Sequence, residues 1–360
     1  LPLDGRFGSG PSKIRAEQID AVVRASRNIL GTSHRQAPVK NLVGSVIDQM
    51  RQLFQLPQDW DVVIGNGGAS LFWDAATFGL IHERSAHFVF GEFSSKFAQA
   101  AQLAPHLGDP IVIESAPGTV PAIQQSDVDT YCLTHNETST GASMQLSRPA
   151  TPADALVVVD GTSAAGGINW SPTEVDVYYF SPQKGFASEG GTWIALCSPR
   201  AVERINKIKS TGRWCPPSLD ISLALENSRA NQTYNTPSLS TFVMLNEQLG
   251  WMLDNGGLDW CTKRTQQSAD ILYGWATSRA FTEPFVANPQ HRSPVVGTID
   301  FVDIDAAQIA TVLRNNGVVD TEPYRKLGRN QLRVSMFPAV DPSDVQLLTS
   351  SIDYIVEQLS

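Results

Sequence analysis

Cysteine is scarce and scattered. Cys132, Cys197, Cys215 and Cys261 are the only four, with no Cys-x-x-Cys pair and no zinc-like spacing. A disulfide scaffold is thereby excluded, no metal is expected, and the thiols read as reduced groups of a cytoplasmic protein. Long apolar runs are missing too. None approaches the roughly 20 residues of a membrane-spanning helix. The opening Leu-Pro-Leu-Asp-Gly-Arg has neither a basic start nor an apolar core, so a signal peptide is not expected. Positive charge is in deficit, with 27 Lys and Arg against 36 Asp and Glu and a formal net charge of −9. The two signs are mixed along the chain, which argues against nonspecific nucleic-acid binding. Repeats, heptads and low-complexity tracts are likewise absent. What remains is 360 residues, enough for two domains and a large core.

One window organises the rest. Val177 to Phe180 reads as a buried strand that stops at Ser181-Pro182, and Lys184 follows on a short turn with Gly190-Gly191 beyond it. An ammonium just past a buried strand is costly. Desolvation lowers its pKa, and the neutral amine can attack a carbonyl. A surface lysine in a loop is the plain alternative. A second apolar run, 156–159, ends in Asp160-Gly161-Thr162-Ser163. A half-buried carboxylate there needs a partner, and a protonated ring nitrogen would serve. One crossover separates the two strands, so both residues face the carboxyl edge of one sheet, where open α/β folds bind ligands.

Other candidates fall at strand ends as well. The strand 61–64 runs into Gly65-Asn66-Gly67-Gly68-Ala69-Ser70 and then a helical run, 71–80. That arrangement suits an anion at a helix start. It is neither Gly-x-Gly-x-x-Gly nor a Walker A loop, so a single phosphate on a small cofactor fits better than a dinucleotide. Phe93 follows the strand 86–90, with a helix expected from Ser95. It is either core or a ring that stacks on a flat ligand. His135-Asn-Glu-Thr-Ser-Thr-Gly141 follows a strand at 130–134 and reads as a site loop. Gly8-Ser9-Gly10-Pro11 is a turn, or a backbone able to lie close to a ligand. His34-Arg35, between helices over 16–30 and 39–54, is a solvated loop or an anion clamp. Asn235-Thr236-Pro237 is a turn signal before a helix over 239–251. Beyond it, strand-like 295–302 and 331–336 flank a helix at 306–315, a smaller α+β unit. Arg325, Lys326, Arg329 and Arg333 there form a solvated basic face or an anion pocket, with Arg333 the one expected to point inward.

A lysine, a carboxylate, an anion cradle, a ring and a threonine loop, all after strands, fit pyridoxal phosphate. Here the sequence resembles a known family, the phosphoserine aminotransferases, class V and fold-type I enzymes dependent on that cofactor. The likeness covers nearly the whole chain. It is carried by Gly31-Thr-Ser-His-Arg-Gln-Ala-Pro-Val-Lys-Asn-Leu-Val43, by His135 to Gly141, and by Asp320-Thr-Glu-Pro-Tyr-Arg-Lys-Leu-Gly-Arg-Asn-Gln-Leu-Arg-Val334, which look most like the actinobacterial branch. The resemblance implies an α/β fold with a mostly parallel seven-stranded sheet in a large domain, 15–245. A smaller α+β domain would comprise 1–14 and 246–360.

It also implies roles. Lys184 would be the Schiff-base lysine with Gln183 beside it on the cofactor. Asp160 would pair with the ring nitrogen, Thr138 with the ring hydroxyl, and Phe93 would stand where many relatives stack a tryptophan. Gly68 and Ala69 would hold the cofactor phosphate. Asn235 and Thr236 would reach that phosphate from a neighbouring subunit, implying a homodimer with shared sites. Ser9, His34 and Arg35 match substrate-binding positions, the last two serving the partner's site, and Arg333 matches the arginine that grips the substrate carboxylate. Two departures stand out. Ala69 replaces an arginine common in relatives, and Lys326-Leu327 replaces a His-Arg pair, so Arg329 or Arg213 is expected to help hold the substrate phosphate. The implied reaction moves the amino group of L-glutamate to 3-phosphohydroxypyruvate, and the family also acts on the phosphorylated hydroxythreonine precursor of pyridoxine. An alanine–glyoxylate type transaminase and a non-catalytic α/β binding protein are the rivals. A cysteine desulfurase is disfavoured because no cysteine follows Cys261.

Overall fold

The computed structural model describes residues 1–150 and 154–359. Two helices, α1 (Ala16–Ala25) and α2 (Ala37–Leu53), come first, followed by β1 (Asp61–Asn66), α3 (Ala69–Gly79), β2 (Ser85–Val89), α4 (Glu92–Leu103), β3 (Ile111–Glu114) and β4 (Thr130–Thr134). A small hairpin joins β5 (Asn136–Glu137) to β6 (Ala142–Ser143). Then come β7 (Leu156–Asp160), β8 (Val177–Phe180), β9 (Thr192–Cys197), α5 (Pro199–Ser210), α6 (Ile221–Arg229), α7 (Leu239–Asp254) and α8 (Gly257–Ser278). The chain closes with β10 (Thr282–Pro284), β11 (Val296–Phe301), α9 (Ala306–Asn315), β12 (Gln331–Ser335) and α10 (Pro342–Leu359).

Seven strands form one sheet in the order β1-β9-β8-β7-β4-β2-β3. Every pairing from β8 to β3 is parallel, and only β9 runs against its neighbours. The expected mostly parallel sheet is therefore what forms. Its central strands are buried end to end, because helices cover both faces. The period-2 alternation sorts their side chains. Val157, Val159, Tyr178 and Phe180 join a core with α2 and α7, while Val158, Val177 and Tyr179 join another with α3, α4, α5 and α6. A third core gathers Leu272, Ile299, Ile309, Leu332 and Leu348 around the antiparallel sheet β10-β11-β12. Phe7 is fully buried in that core and exchanges backbone hydrogen bonds with Val319 and Ser335.

Some element ends differ from expectation for local reasons. The helix expected over 16–30 stops at Ala25, where Ser26 Oγ turns back to donate to Val23 O at 2.6 Å. Such hydroxyls compete with helix continuation. Helix α4 starts at Glu92, not Ser95, which puts Phe93 in its first turn. The expected boundary at 245 falls inside α7, whose Leu249 and Met252 still pack in the first core.

At the sheet's amino edge, Asp129 joins three segments. Its carboxylate accepts the N–H groups of His82, Glu83 and Arg84 at 3.0, 2.7 and 2.8 Å and Arg204 Nη1 at 2.9 Å. Arg204 is buried. Burial alone would raise the Asp129 pKa, but hydrogen bonds from Arg84, Thr130, His82 and Glu83 outweigh it and lower it. Asp129→Ala strands a buried guanidinium, so urea titration should show a loss of about 3–5 kcal/mol. Because the folded pKa is depressed, the wild type holds this contribution above the ordinary carboxylate range and loses it as pH falls through the lowered value.

Candidate active site

Parallel pairing of β7 with β8 sets Asp160 opposite Tyr179. The turn after β8 then brings Lys184 back across the carboxyl edge, where both residues line one cavity of about 290 Å³. Lys184 is 7% exposed. Its Nζ donates to Thr138 Oγ1 at 2.7 Å and lies 5.0 Å from the centre of the Phe93 ring. Burial lowers its pKa to about 8. Asp160 acts against the shift, Arg333 adds to it, and Glu137 again opposes it. Gly10 allows the lysine to lie there: at φ +130, a Cβ on it would stand 2.8 Å from Lys184 Cε.

The carboxylate of Asp160 is fixed on three sides. Trp73 Nε1 and Tyr179 OH donate to Oδ2 at 3.2 and 3.1 Å, and the Thr162 N–H donates to Oδ1 at 2.9 Å. Burial, reinforced by Asp160, pushes the Tyr179 phenol well above its usual pKa, so it remains a donor. Gly68 is the N-cap of α3, and the helix's first turn opens on the cavity through Gly68, Ala69 and Ser70. The first N–H groups of a helix lack partners within it, and with the dipole they favour an anion. Arg333 enters from β12 and donates Nη1 to Thr138 O at 3.3 Å, with its guanidinium 5.6 Å from the Tyr324 ring.

Five buried polar atoms of cavity residues have no protein partner: Ser9 Oγ, Asn136 Oδ1, Thr162 Oγ1, Gln183 Oε1 and Arg333 Nε. Buried polar groups are nearly always hydrogen-bonded, so such a cluster suits a polar ligand. A nucleophilic amine, a carboxylate facing across the cavity, an aromatic wall and an anion-binding helix start match the aldehyde, ring nitrogen, ring face and phosphate of pyridoxal phosphate. The residues present fit that group.

Not every expected residue converges. Ser9, Gly68, Ala69, Phe93, Thr138, Asp160, Gln183, Lys184 and Arg333 share the cavity wall. His34, Arg35, Asn235 and Thr236 lie outside it. They gather beside Asn66, where His34 Nδ1 meets Thr236 Oγ1 at 3.0 Å and Asn66 takes the Asn235 N–H at 3.2 Å. Arg35 is held by Asn227, Gln232 and Tyr234 O. The two arginines expected to help with a substrate phosphate are engaged with protein groups outside the cavity. Arg329 pairs with Asp300 and lies 4.5 Å above the Phe285 ring. Arg213 donates to the carbonyls of Ile81 and His82, which precede β2. Reasoning from the sequence missed Trp73, Tyr179 and Tyr324, and took in Asn136 only as a member of the site loop and Thr162 only as a residue after Asp160. Tyr179 was visible only as an apolar strand residue, and Trp73 only as a helix residue one turn after the glycines.

Fold and site together define a pyridoxal-phosphate-dependent aminotransferase. The chain belongs to the class-V aminotransferase family, whose model matches residues 7–348. The phosphoserine aminotransferase of Rhodococcus jostii (strain RHA1) is 56% identical over 361 residues, which cover 100% of this chain and 97% of that protein. That of Rhodococcus opacus (strain B4) is 55% identical with the same coverage. The crystal structure of a phosphoserine aminotransferase from Cytophaga hutchinsonii superposes with a TM-score of 0.87 at 23% identity, covering 98% of this chain and 99% of that one, and shows the shared fold. No helix among the described residues is long and apolar enough to cross a membrane, and these residues hold no metal-ligand cluster.

The lysine's environment makes a signed prediction. Covalent capture of pyridoxal phosphate by the cofactor-free chain should speed up about tenfold per pH unit as the amine deprotonates, then level off above about pH 8. Stopped-flow absorbance across this range measures it. A rate still climbing at pH 10 would show that Lys184 is not desolvated.

Proposed function

We propose that this chain transfers the amino group of L-glutamate to 3-phosphohydroxypyruvate, giving O-phospho-L-serine and 2-oxoglutarate, with pyridoxal phosphate as cofactor. The observation that carries the reading is a buried lysine of lowered pKa and a braced carboxylate at the ends of adjacent parallel strands, opening on one cavity with Arg333. The relatives' names supply the substrates.

Gly68 and Ala69 would hold the cofactor phosphate through backbone N–H groups. Phe93 would cover one face of the ring, Thr138 would meet its hydroxyl, and Gln183 would touch it beside the lysine. Asp160 would keep the ring nitrogen protonated. Trp73 and Tyr179 donate to its Oδ2 and the Thr162 N–H to its Oδ1, and these bonds would keep the carboxylate oriented for that role. Bound there, pyridoxal phosphate supplies an electron sink for the charge that develops at an amino-acid Cα. Lys184 would hold the aldehyde end of the cofactor, and its Nζ would take up and return the proton of the amino-acid Cα. Its lowered pKa leaves a useful neutral fraction near pH 7. Arg333 receives the substrate carboxylate as a planar fork, and Ser9 lies on the same wall.

Asn235, Thr236, His34 and Arg35 serve the site of a second subunit, so the working unit is a homodimer. Their clustering outside their own cavity supports this. We further propose a large cofactor-binding domain, 15–245, and a small domain of 1–14 and 246–360, with α7 bridging the two. A cytoplasmic location and activity on the phosphorylated hydroxythreonine precursor of pyridoxine complete the reading.

Coupled assay of 2-oxoglutarate release should show phosphohydroxypyruvate-dependent turnover with ping-pong kinetics. Lys184→Ala should abolish it. Arg333→Ala should raise KM for both substrates by about 100-fold. Alanine–glyoxylate transfer without phosphoserine formation would overturn the reading.

A further inference from the structure

Glu137 is wholly buried, yet its contacts include no ion pair among the described residues. Its carboxylate instead accepts five hydrogen bonds from N–H groups and hydroxyls. Oε2 takes Ser94 N and Ser94 Oγ, both at 2.9 Å. Oε1 takes Phe93 N at 3.3 Å, Ser139 N at 3.2 Å and Ser139 Oγ at 2.7 Å. Phe93 and Ser94 are first-turn residues of α4, whose N-cap is Gly91 and so has no side chain to offer. Glu137 thus caps α4 from a different segment of the chain, where a negative charge also meets the positive end of the helix dipole. Ser139 adds a second bridge by accepting the Glu92 N–H at 3.1 Å.

The contact demands glycine at 91. A Cβ there would lie 2.4 Å from Glu137 Cγ and 2.6 Å from Ser139 Oγ. Two walls of the cavity are joined by this one side chain. On the α4 side stands the Phe93 ring. On the loop side, next in sequence, stands Thr138, whose hydroxyl accepts from Lys184 and whose carbonyl accepts from Arg333.

We propose that Glu137 is a positioning residue that fixes the spacing between the Phe93 ring and the Thr138 hydroxyl, and so the tilt and grip of the cofactor ring between them. The inference rests on the cofactor reading given above. Glu137 touches neither substrate nor cofactor and acts through Phe93, Ser94 and Thr138. It has an electrostatic role as well. The charged groups acting on Lys184 are Asp160 at the end of β7, Arg333 in β12 and Glu137 in the hairpin after β4. Removing the Glu137 charge removes one of the two that favour the ammonium.

Reach and charge can be separated by two variants. Glu137→Gln keeps the length but loses the charge and presents an N–H₂ to groups that already donate. Glu137→Asp keeps the charge but is one methylene too short to bridge to α4. Both should weaken pyridoxal phosphate binding by about tenfold and reduce the visible circular dichroism per bound cofactor, a signal set by ring tilt. Only Glu137→Gln should move the pH inflection of covalent capture to a lower value than in the wild type. A side chain that merely stabilises the fold would lower the melting temperature and leave dichroism and inflection in place. Wild-type dichroism, affinity and inflection in Glu137→Gln overturn the proposal. If that variant does not fold, Ser139→Ala carries the test, with a several-fold loss of affinity and a reduced dichroism expected and wild-type values overturning it. A wild-type chain that takes up no pyridoxal phosphate overturns the aminotransferase reading itself, and the role of Glu137 with it.

Discussion

Burying an amine that must react as a neutral nucleophile, without letting it become inert, is the constraint on which this structure turns. Full desolvation of an ammonium shifts a lysine pKa by several units. Here the shift stops at about 8 because Asp160 and Glu137 hold part of the positive charge while burial and Arg333 drive it off. The balance depends on position. Asp160 acts at the end of the neighbouring strand, and the sheet's parallel pairing fixes that placement. Without the crossover from β7 to β8, the lysine would lose the larger of its two counter-charges.

The same balance explains why the carboxylates at the cavity edge and behind it are themselves braced. Asp160 has three protein donors, two of them from side chains on separate elements, Trp73 on α3 and Tyr179 on β8. Glu137 has five. A buried carboxylate without such partners would carry the full cost of leaving water. The atoms left without partners belong instead to Ser9, Asn136, Thr162, Gln183 and Arg333, which face the space between the walls. Saturated anions behind and open donors and acceptors in front are what a site needs if its shape is set before the ligand arrives.

Much of this was legible in the sequence because the central strands are covered on both faces. Val177 to Phe180 and 156–159 show as unbroken apolar runs, so Asp160 and Lys184 stand out at their ends. The glycines before α3 and the polar loop after β4 were equally visible, since each marks an abrupt change of composition after a strand. What could not be read was lateral. Tyr179 becomes a partner of Asp160 only once β7 and β8 are paired in register, and Trp73 only once α3 is packed over them. Glu137 was seen as one polar residue in a loop, and nothing local says that it caps a helix more than 40 residues away in sequence, as its contact with Ser94 does. The start of α4 at Glu92 departs from the expected Ser95 for the same reason, because its cap is not its neighbour in the chain. Arg329 is expected to help hold a substrate phosphate because Lys326-Leu327 replaces the His-Arg pair of relatives. It lies in the turn before β12, where it pairs with Asp300.

Charge inside the cavity carries the last step. A phosphate group brings about −1.5 to −2 at neutral pH, and the proposed substrate adds a carboxylate to that while the cofactor has its own phosphate. The cavity's own cations are Lys184, which is spent on the aldehyde, and Arg333. The first turn of α3 meets one phosphate, and Ala69 adds no charge there. Lys326 is paired with Glu92, and Arg329 and Arg213 are engaged elsewhere. One chain therefore lacks the positive charge for a second phosphate. Under the shared-site proposal the further positive charge would come from Arg35, which is exposed beside His34 and Thr236. His34 Nε2 there is buried without a partner, and burial, followed by the Arg35 charge, keeps the imidazole pKa low. A neutral imidazole can donate one hydrogen bond to an anion while the adjacent guanidinium carries the charge. Under the shared-site proposal, the Arg35 charge of one copy would add to Arg333 of another in meeting the two anionic groups of the substrate, on a chain whose net charge is negative.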